Sequence, residues 1–525
     1  MEYLHSKFLI NAEKYPDNIA LVVDDSHLTY KEVKEKALNW SHSIQTNNKV
    51  VKRVGIFAYK SEVSYIGILA SLLAGATFVP LNPNFPIERT YRMIKEANLD
   101  AIFIGKESKE VFKKLMDSYM DLEIPLAIFP DLKRDELLFS IKSKVVTTDN
   151  LKNFAVTPSE AQNINEIAYL MFTSGSTGKP KGVPISHRNI LHFLNVSQEK
   201  FNINIDDRLS QTFDLTFDLA IFDIFMAWSN GASLYPLKDL QLLSPIKFLK
   251  KHSITVWFSV PYIITLLRKQ NLLKPNTIPS LRLSLFCGEP LYVNAAEFWS
   301  QAAPNSIIEN LYGPTELTVS CTSYTWRKEQ IQFESNNGIV PIGKINRGLK
   351  YIILNEELKN LEKGEIGELC VAGPQTFQGY LNNIESTNKN LITVEGEIFY
   401  RTGDLVKELK NGELVYIGRM DSQIKFKGYR IECSEIEGAL LSFENVLSSA
   451  VIPWPIEELT VKGLVAFVTG TSINKNEILK ELEKKLPVYM LPTEIFLVDK
   501  FPLNSNGKID RNQLRMLLEE SIYAH

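Results

Sequence analysis

Cysteine is scarce in this chain: Cys287, Cys321, Cys370 and Cys433 are scattered through 525 residues with no Cys-x-x-Cys pair. That spacing excludes a disulfide frame and a zinc site, and predicts small core thiols of a reducing compartment. An excess of one charge is lacking too. The 58 Lys+Arg against 61 Asp+Glu leave −3, so there is no electrostatic case for a nucleic-acid partner. Long hydrophobic runs are also missing. The most apolar stretch, residues 65–80, contains Gly67 and Gly75 and falls short of the roughly 20 apolar residues a spanning helix needs. It reads as a buried helix running into a strand, with no membrane partner. The first residues lack an apolar segment flanked by basic residues and a small-residue cleavage site, so a cytoplasmic location is expected.

What is present is alternation. Short β-branched runs at 19–23, 54–57 and 101–104 each precede an amphipathic helical stretch, at 30–43, from 65, and at 107–116. Such alternation predicts βαβ units and an α/β fold with largely parallel sheets. From about 343 the texture changes to strand-like pieces (350–354, 367–371) between Gly- and Asn-bearing turns, which predicts a β-rich subdomain over about 343–418. Beyond 418 the chain starts afresh with a strand at 424–427, a helix at 435–441, a strand at 465–469 and a charged helix at 477–485. The expected organisation is a large N-terminal region, 1–418, of αβ-layered sheets, followed by a small α+β C-terminal domain, 419–525.

One loop carries chemistry. An apolar strand runs into Thr173, Ser174, Gly175, Ser176, Thr177, Gly178, Lys179, Pro180 and Lys181. Glycines let backbone N–H groups converge, hydroxyls add donors and lysines add charge, a set suited to a polyphosphate. A Walker A loop is excluded twice: the position five before Gly178 is Thr173, and Lys179 precedes Pro180.

Further segments follow in order: 310–316 ending in Tyr312, Gly313, Pro314, Thr315 and Glu316; 367–380; 400–405 with Asp404; 418–432 with Arg419 and Asp421; and 506–511 with Lys508. With the loop, they resemble the six ordered motifs of the adenylate-forming superfamily of acyl-CoA synthetases, luciferases and amino-acid adenylation domains. The resemblance implies ATP and Mg²⁺ as cofactors. It implies that Thr173, Ser174, Gly175, Ser176, Thr177, Gly178 and Lys181 bind the departing phosphates, that Thr315 touches the α-phosphate and that Glu316 holds Mg²⁺. Tyr312 would offer a face to adenine, Asp404 would accept the ribose hydroxyls, and Arg419 would join the nucleotide-binding set. Lys508 would bridge the α-phosphate and the substrate carboxylate, and Asp421 would be the hinge of a mobile C-terminal cap.

The amino-acid branch of that superfamily carries an aspartate that pairs with the substrate ammonium. Asp214 and Asp218 both stand in the right neighbourhood, and the downstream register through Phe225, Trp228 and Gly231 favours Asp218, with Ala220 where the motif has serine. Carrying the pocket across gives Asp218, Leu219, Phe222, Phe258, Leu285, Cys287, Leu311, Val319, Ser320 and Lys508. Apart from the two charges the lining is apolar or small, which predicts a small apolar amino acid. The pattern is similar to that of free-standing prolyl-AMP ligases: six of ten positions agree, and Phe222, Phe258, Cys287 and Ser320 differ. Proline is therefore the expected substrate, with alanine or another small amino acid, or an acyl-CoA ligase activity, as alternatives. Only residues 509–525 follow Lys508. The expected partner is thus a separate carrier protein with a phosphopantetheine arm, which Gly428 and its neighbours would face.

Overall fold

The alternating strands and helices assemble into two parallel-cored sheets in the computed structural model, which describes residues 2–46, 50–139, 141–151, 163–175, 180–329, 331, 335, 338–421, 423–457, 460–471, 473–502 and 509–523. Among the described residues, contact clustering separates two units. One comprises 1–83, 93–172 and 182–420; the other comprises 84–92, 173–181 and 421–525.

In the first unit a nine-stranded sheet runs, edge to edge, Lys344–Ile345, Thr322–Thr325, Ile307–Tyr312, Leu283–Phe286, Val256–Ser259, Arg208–Gln211, Ser233–Pro236, Ile19–Val23 and Ser26–Thr29. Its six central strands pair in parallel, and antiparallel strands close both edges. A seven-stranded sheet has the order Lys144–Thr147, Leu126–Phe129, Ala101–Ile104, Arg53–Phe57, Thr77–Leu81, Ile167–Thr173 and Lys181–Ser186. The expected strand at 19–23 and the helix beginning at Tyr30 are both present, the helix as Tyr30–Gln45. The 107–116 expectation becomes a short 3₁₀ turn, Lys106–Ser108, followed by the helix Lys109–Ser118.

Local chemistry explains the boundaries. Thr29 Oγ1 accepts the Glu32 N–H at 3.2 Å while Glu32 accepts the Thr29 N–H at 2.8 Å, a capping box that starts Tyr30–Gln45. The helices Glu62–Leu73 and Leu219–Ser229 are apolar nearly all round and buried along almost their whole length. Their side chains join one continuous apolar cluster with strands of both sheets. Each fully buried Leu, Ile, Val or Phe contributes about 1.5–3 kcal/mol there. None of the described helices is long and apolar enough to cross a membrane.

The β-rich region is a five-stranded antiparallel sheet, Lys350–Leu354, Ile366–Ala372, Glu397–Glu408 and Leu391–Val394, with Leu414–Arg419 on the long Glu397–Glu408 strand. The second unit holds the hairpin Gln423–Phe426 and Tyr429–Glu432, and a sheet of Val446–Pro453, Leu464–Gly470 and Glu494–Leu497. The helices Cys433–Leu441 and Lys475–Lys485 share its apolar core.

Candidate active site

The strand Ile307–Tyr312 ends in a turn that only particular residues allow. A Cβ on Gly313 would lie 2.5 Å from the Ser320 Cα and 2.8 Å from the Cys321 nitrogen, so this position requires glycine. A 3₁₀ turn, Thr315–Leu317, follows. Thr318 and Val319 then take φ of 59° and 68°, left-handed conformations that cost β-branched residues on the order of 1–3 kcal/mol each. The turn directs the Val319 N–H at Asp218 Oδ2, 3.1 Å away.

Asp218 stands immediately before the buried helix Leu219–Ser229 and is 7% exposed. Burial pushes its carboxyl up to about 6; the Val319 N–H and the Thr315 hydroxyl pull it back down, and the nearby Glu316 charge raises it. Among the described residues, the groups that hydrogen-bond it are therefore neutral. Asp214, four residues earlier, is situated otherwise. Its Oδ1 accepts the Thr216 N–H at 2.8 Å and the Thr216 hydroxyl at 2.7 Å, and its Oδ2 accepts the Asn82 amide. Burial also raises its pKa, with the Thr216 bonds and Lys60 among the groups opposing the shift.

One helical turn after Asp218, Phe222 joins an aromatic wall. Phe258 meets Phe213 edge-on at 4.8 Å and Phe222 at 5.1 Å. Phe258 pairs in register with Leu285 across parallel strands, and Leu285 with Glu309 on the next. Leu219, Phe222, Phe258, Leu285, Cys287, Leu311, Val319 and Ser320 are all buried. Phe213, which precedes Asp214 in the chain, belongs to this wall; its place beside Phe258 arises from tertiary packing.

The carboxylates of the nucleotide motifs have protein partners of their own. Glu316 is 1% exposed, and its Oε1 accepts the Tyr380 hydroxyl at 2.7 Å. Asp404 Oδ1 accepts from Arg419 Nη1 at 2.6 Å, and its Oδ2 accepts the Tyr312 hydroxyl. Burial, with Asp404 beside it, raises the Tyr312 phenol well above its usual value. As a metal ligand Glu316 offers only hard oxygen, which suits Mg²⁺ arriving with phosphates and needing one or two protein carboxylates. Among the described residues no three His, Cys, Asp or Glu side chains gather into a metal cage.

In the second unit, Thr173 ends its strand and Lys181 begins the next, with the buried Ser174 and Gly175 following Thr173. Ser174 Oγ donates to the Arg430 carbonyl at 2.8 Å. Asp421 is exposed, and its Oδ1 accepts the Gln423 N–H at 3.1 Å. Ser176, Thr177, Gly178 and Lys508 lie outside the described residues.

Sequence reasoning overlooked Gln375 and Asn346. Both are buried, and both donate side-chain hydrogen bonds to the turn that follows Glu316. Gln375 lies inside the 367–380 motif, where a glutamine has no local signal of its own.

The family model described as AMP-binding enzyme matches residues 8–381, and the AMP-binding enzyme C-terminal domain matches 435–508. Surfactin synthase subunit 2 of Bacillus subtilis is 32% identical over 99% of this chain, which spans only 14% of that relative. The D-alanine--D-alanyl carrier protein ligase of Bacillus cytotoxicus is 29% identical, over 97% of this chain and 99% of its own length. The solved adenylation domain AlmE of Vibrio cholerae, in complex with glycyl-adenosine-5'-phosphate, is 31% identical with a TM-score of 0.87, over 98% of both chains. The chain belongs to the AMP-binding enzyme family.

Proposed function

We propose that this AMP-binding enzyme activates a small apolar amino acid with ATP and transfers it to the thiol of a separate carrier protein. The observation that carries the reading is Asp218, a buried carboxylate with no cation among the groups that act on it. A buried carboxylate needs a compensating cation, and a substrate α-ammonium supplies one. The same carboxylate disfavours an unaminated acid.

In the first step a substrate carboxylate oxygen attacks the α-phosphorus of ATP. The bond from that phosphorus to the oxygen bridging to the β-phosphate breaks, and pyrophosphate leaves with the electron pair. In the second step the carrier thiol loses its proton to solvent and attacks the acyl carbon; AMP departs. Two anions meet in the first step, so fixed donors and positive charge lower the barrier most. Lys508 takes that part, with Thr315 at the α-phosphate and Thr173, Ser174, Gly175, Ser176, Thr177, Gly178 and Lys181 on the leaving phosphates. Mg²⁺ held through Glu316 would neutralise phosphate charge. Asp404 receives two protein donors, and an ionised carboxylate has about four lone-pair sites, so it retains capacity for ribose hydroxyls. The reading divides the chain at 418/419, with the C-terminal part turning about Asp421 between the two steps.

The size of the substrate is supported by the fully buried Phe222 and Phe258 rings and by the names of two similar proteins. One is called a D-alanine ligase and the other holds a glycyl adenylate. Proline leads the panel because of the pocket pattern, with alanine and glycine beside it. Amino-acid-dependent ATP–pyrophosphate exchange tests the reading. No exchange with any amino acid would overturn it; strongest exchange with alanine would overturn proline alone.

A further inference from the structure

Residues 373–380 grip the turn after Glu316 at three points. The Phe377 N–H donates to the Glu316 carbonyl at 2.9 Å, and the Tyr380 hydroxyl donates to the Glu316 carboxylate. Two residues before Phe377 sits Gln375, fully buried. Its Nε2 donates to three carbonyls of one turn: Leu317 at 3.0 Å, Thr318 at 3.3 Å and Ser320 at 2.8 Å. The Thr318 hydroxyl returns a bond to the Gln375 carbonyl at 2.7 Å. Gln375 Oε1 accepts from Asn346 Nδ2 at 3.2 Å, and Asn346 also donates to the Ser320 carbonyl at 2.9 Å.

The gripping segment is itself anchored. Asn189 Nδ2 donates to the Pro374 and Thr376 carbonyls at 2.7 and 3.1 Å, while its Oδ1 accepts the Ser186 N–H at 3.0 Å at the start of the helix His187–Phe201. A path of hydrogen bonds thus leads from a helix cap through the flanking carbonyls of Gln375 to the two left-handed residues, Thr318 and Val319. Those two residues adopt a backbone that their side chains disfavour, so something outside the turn must hold them. Three carbonyls converging on one amide nitrogen do so.

We infer that Gln375 is a positioning residue for the amino-acid side of the site. By clamping the carbonyls of Leu317, Thr318 and Ser320, it holds the left-handed turn that aims the Val319 N–H at Asp218 and places Val319 and Ser320 in the pocket wall. The inference rests on Asp218 being the amino-acid-binding carboxylate. Gln375 touches neither substrate nor nucleotide in this role; it acts through the turn.

The test uses the full-length chain with Gln375→Met, which keeps the side-chain length and removes the donor. Loss of buried hydrogen bonds of this kind should raise the amino-acid KM in ATP–pyrophosphate exchange about 10-fold, and leave the ATP KM within about 2-fold. Hydrogen–deuterium exchange at residues 317–321 should quicken, with remote core strands unchanged. Wild-type uptake at 317–321 in the variant would overturn the clamp. Faster uptake with an unchanged amino-acid KM, or KM values for both substrates rising together, would overturn the positioning role. An absence of exchange in the wild-type chain with every amino acid would overturn the proposed function and the positioning role together, while the uptake comparison would still decide the clamp by itself. Asn346→Ala, which removes a single donor to Ser320 and the contact to Gln375 Oε1, gives the same readouts if Gln375→Met fails to fold, with an expected KM change of about 3-fold.

Discussion

Asp214 and Asp218 are the same residue type, four positions apart; Asp218 is buried and Asp214 half-buried. Asp214 spends its oxygens on its own loop and on Asn82, and Lys60 stands near as a countercharge. Lys60 is itself buried, donating to the Thr212 carbonyl at 2.9 Å, and burial draws its pKa down to about 8 against the pull of Asp214, Asp239 and Asp223. Asp218 has a backbone N–H and a hydroxyl, from Val319 and Thr315. The difference teaches that burial alone does not mark a binding carboxylate. What marks it is whether a countercharge already stands near. Both accept hydrogen bonds from neutral donors alone, but Lys60 stands as a countercharge near Asp214, whereas no cation is among the groups that act on Asp218.

Substitution should separate the two roles. Asp218→Ala is expected to cut amino-acid-dependent exchange by on the order of 10³-fold, because the ammonium loses its buried partner, with the melting temperature at neutral pH no lower than wild type, since an uncompensated buried charge is removed. If exchange survives in Asp218→Ala and vanishes in Asp214→Ala, the assignment is reversed. Asp214→Ala should instead cost about 3 kcal/mol of stability, since it strands the Asn82 amide and removes a countercharge from Lys60; denaturant unfolding reads this directly.

The pH response sharpens the same contrast. Asp218 is raised from 3.8 to about 6, so between those values the folded state binds more protons than the unfolded one. Stability therefore falls as pH rises through that window, by up to about 3 kcal/mol from this group. Asp218→Asn should remove that part of the slope, measured as the difference between wild-type and variant unfolding curves. Over the same range the wild-type amino-acid KM should rise as pH falls below about 6, because a neutral carboxyl no longer pairs with the ammonium. A KM independent of pH from 5 to 8 would contradict a titrating Asp218.

The smallest effect concerns the rings flanking the two aspartates. Phe213 precedes Asp214 and Phe222 follows Asp218, yet both pack against Phe258. Phe213→Leu and Phe222→Leu should each shift the preference among small apolar amino acids by less than about 10-fold, the scale of a methylene-sized change. A complete switch of substrate from either change would mean that the pocket is set elsewhere.

Much of the architecture was legible in advance. The 350–354 strand appears as Lys350–Leu354 and the 435–441 helix within Cys433–Leu441, because hydrophobic period is a short-range property that the chain carries with it. The short edge strand Ser26–Thr29 was not legible, since an exposed pair of residues, Ser26 and His27, conceals its pairing with Ile19–Val23. Within the candidate site, the motifs singled out Tyr312, Glu316 and Asp404. They gave no sign that the Tyr312 hydroxyl serves Asp404 or that Tyr380 serves Glu316. Gln375 stayed hidden because a buried glutamine has no local signature. Its function depends on which carbonyls face it.

By itself the sequence determined the alternating α/β build, the polyphosphate-type loop and the ordered motifs of an AMP-binding enzyme, all of which are encoded in residues near one another. Only the tertiary structure decided how the oxygens of each aspartate are used. Asn82, 132 residues before Asp214, completes one carboxylate's bonds, and Val319, 101 residues after Asp218, aims a single N–H at the other. Lone pairs are allotted by whatever neighbours the fold brings within hydrogen-bonding distance, and that distance, about 3 Å, bears no relation to separation along the chain.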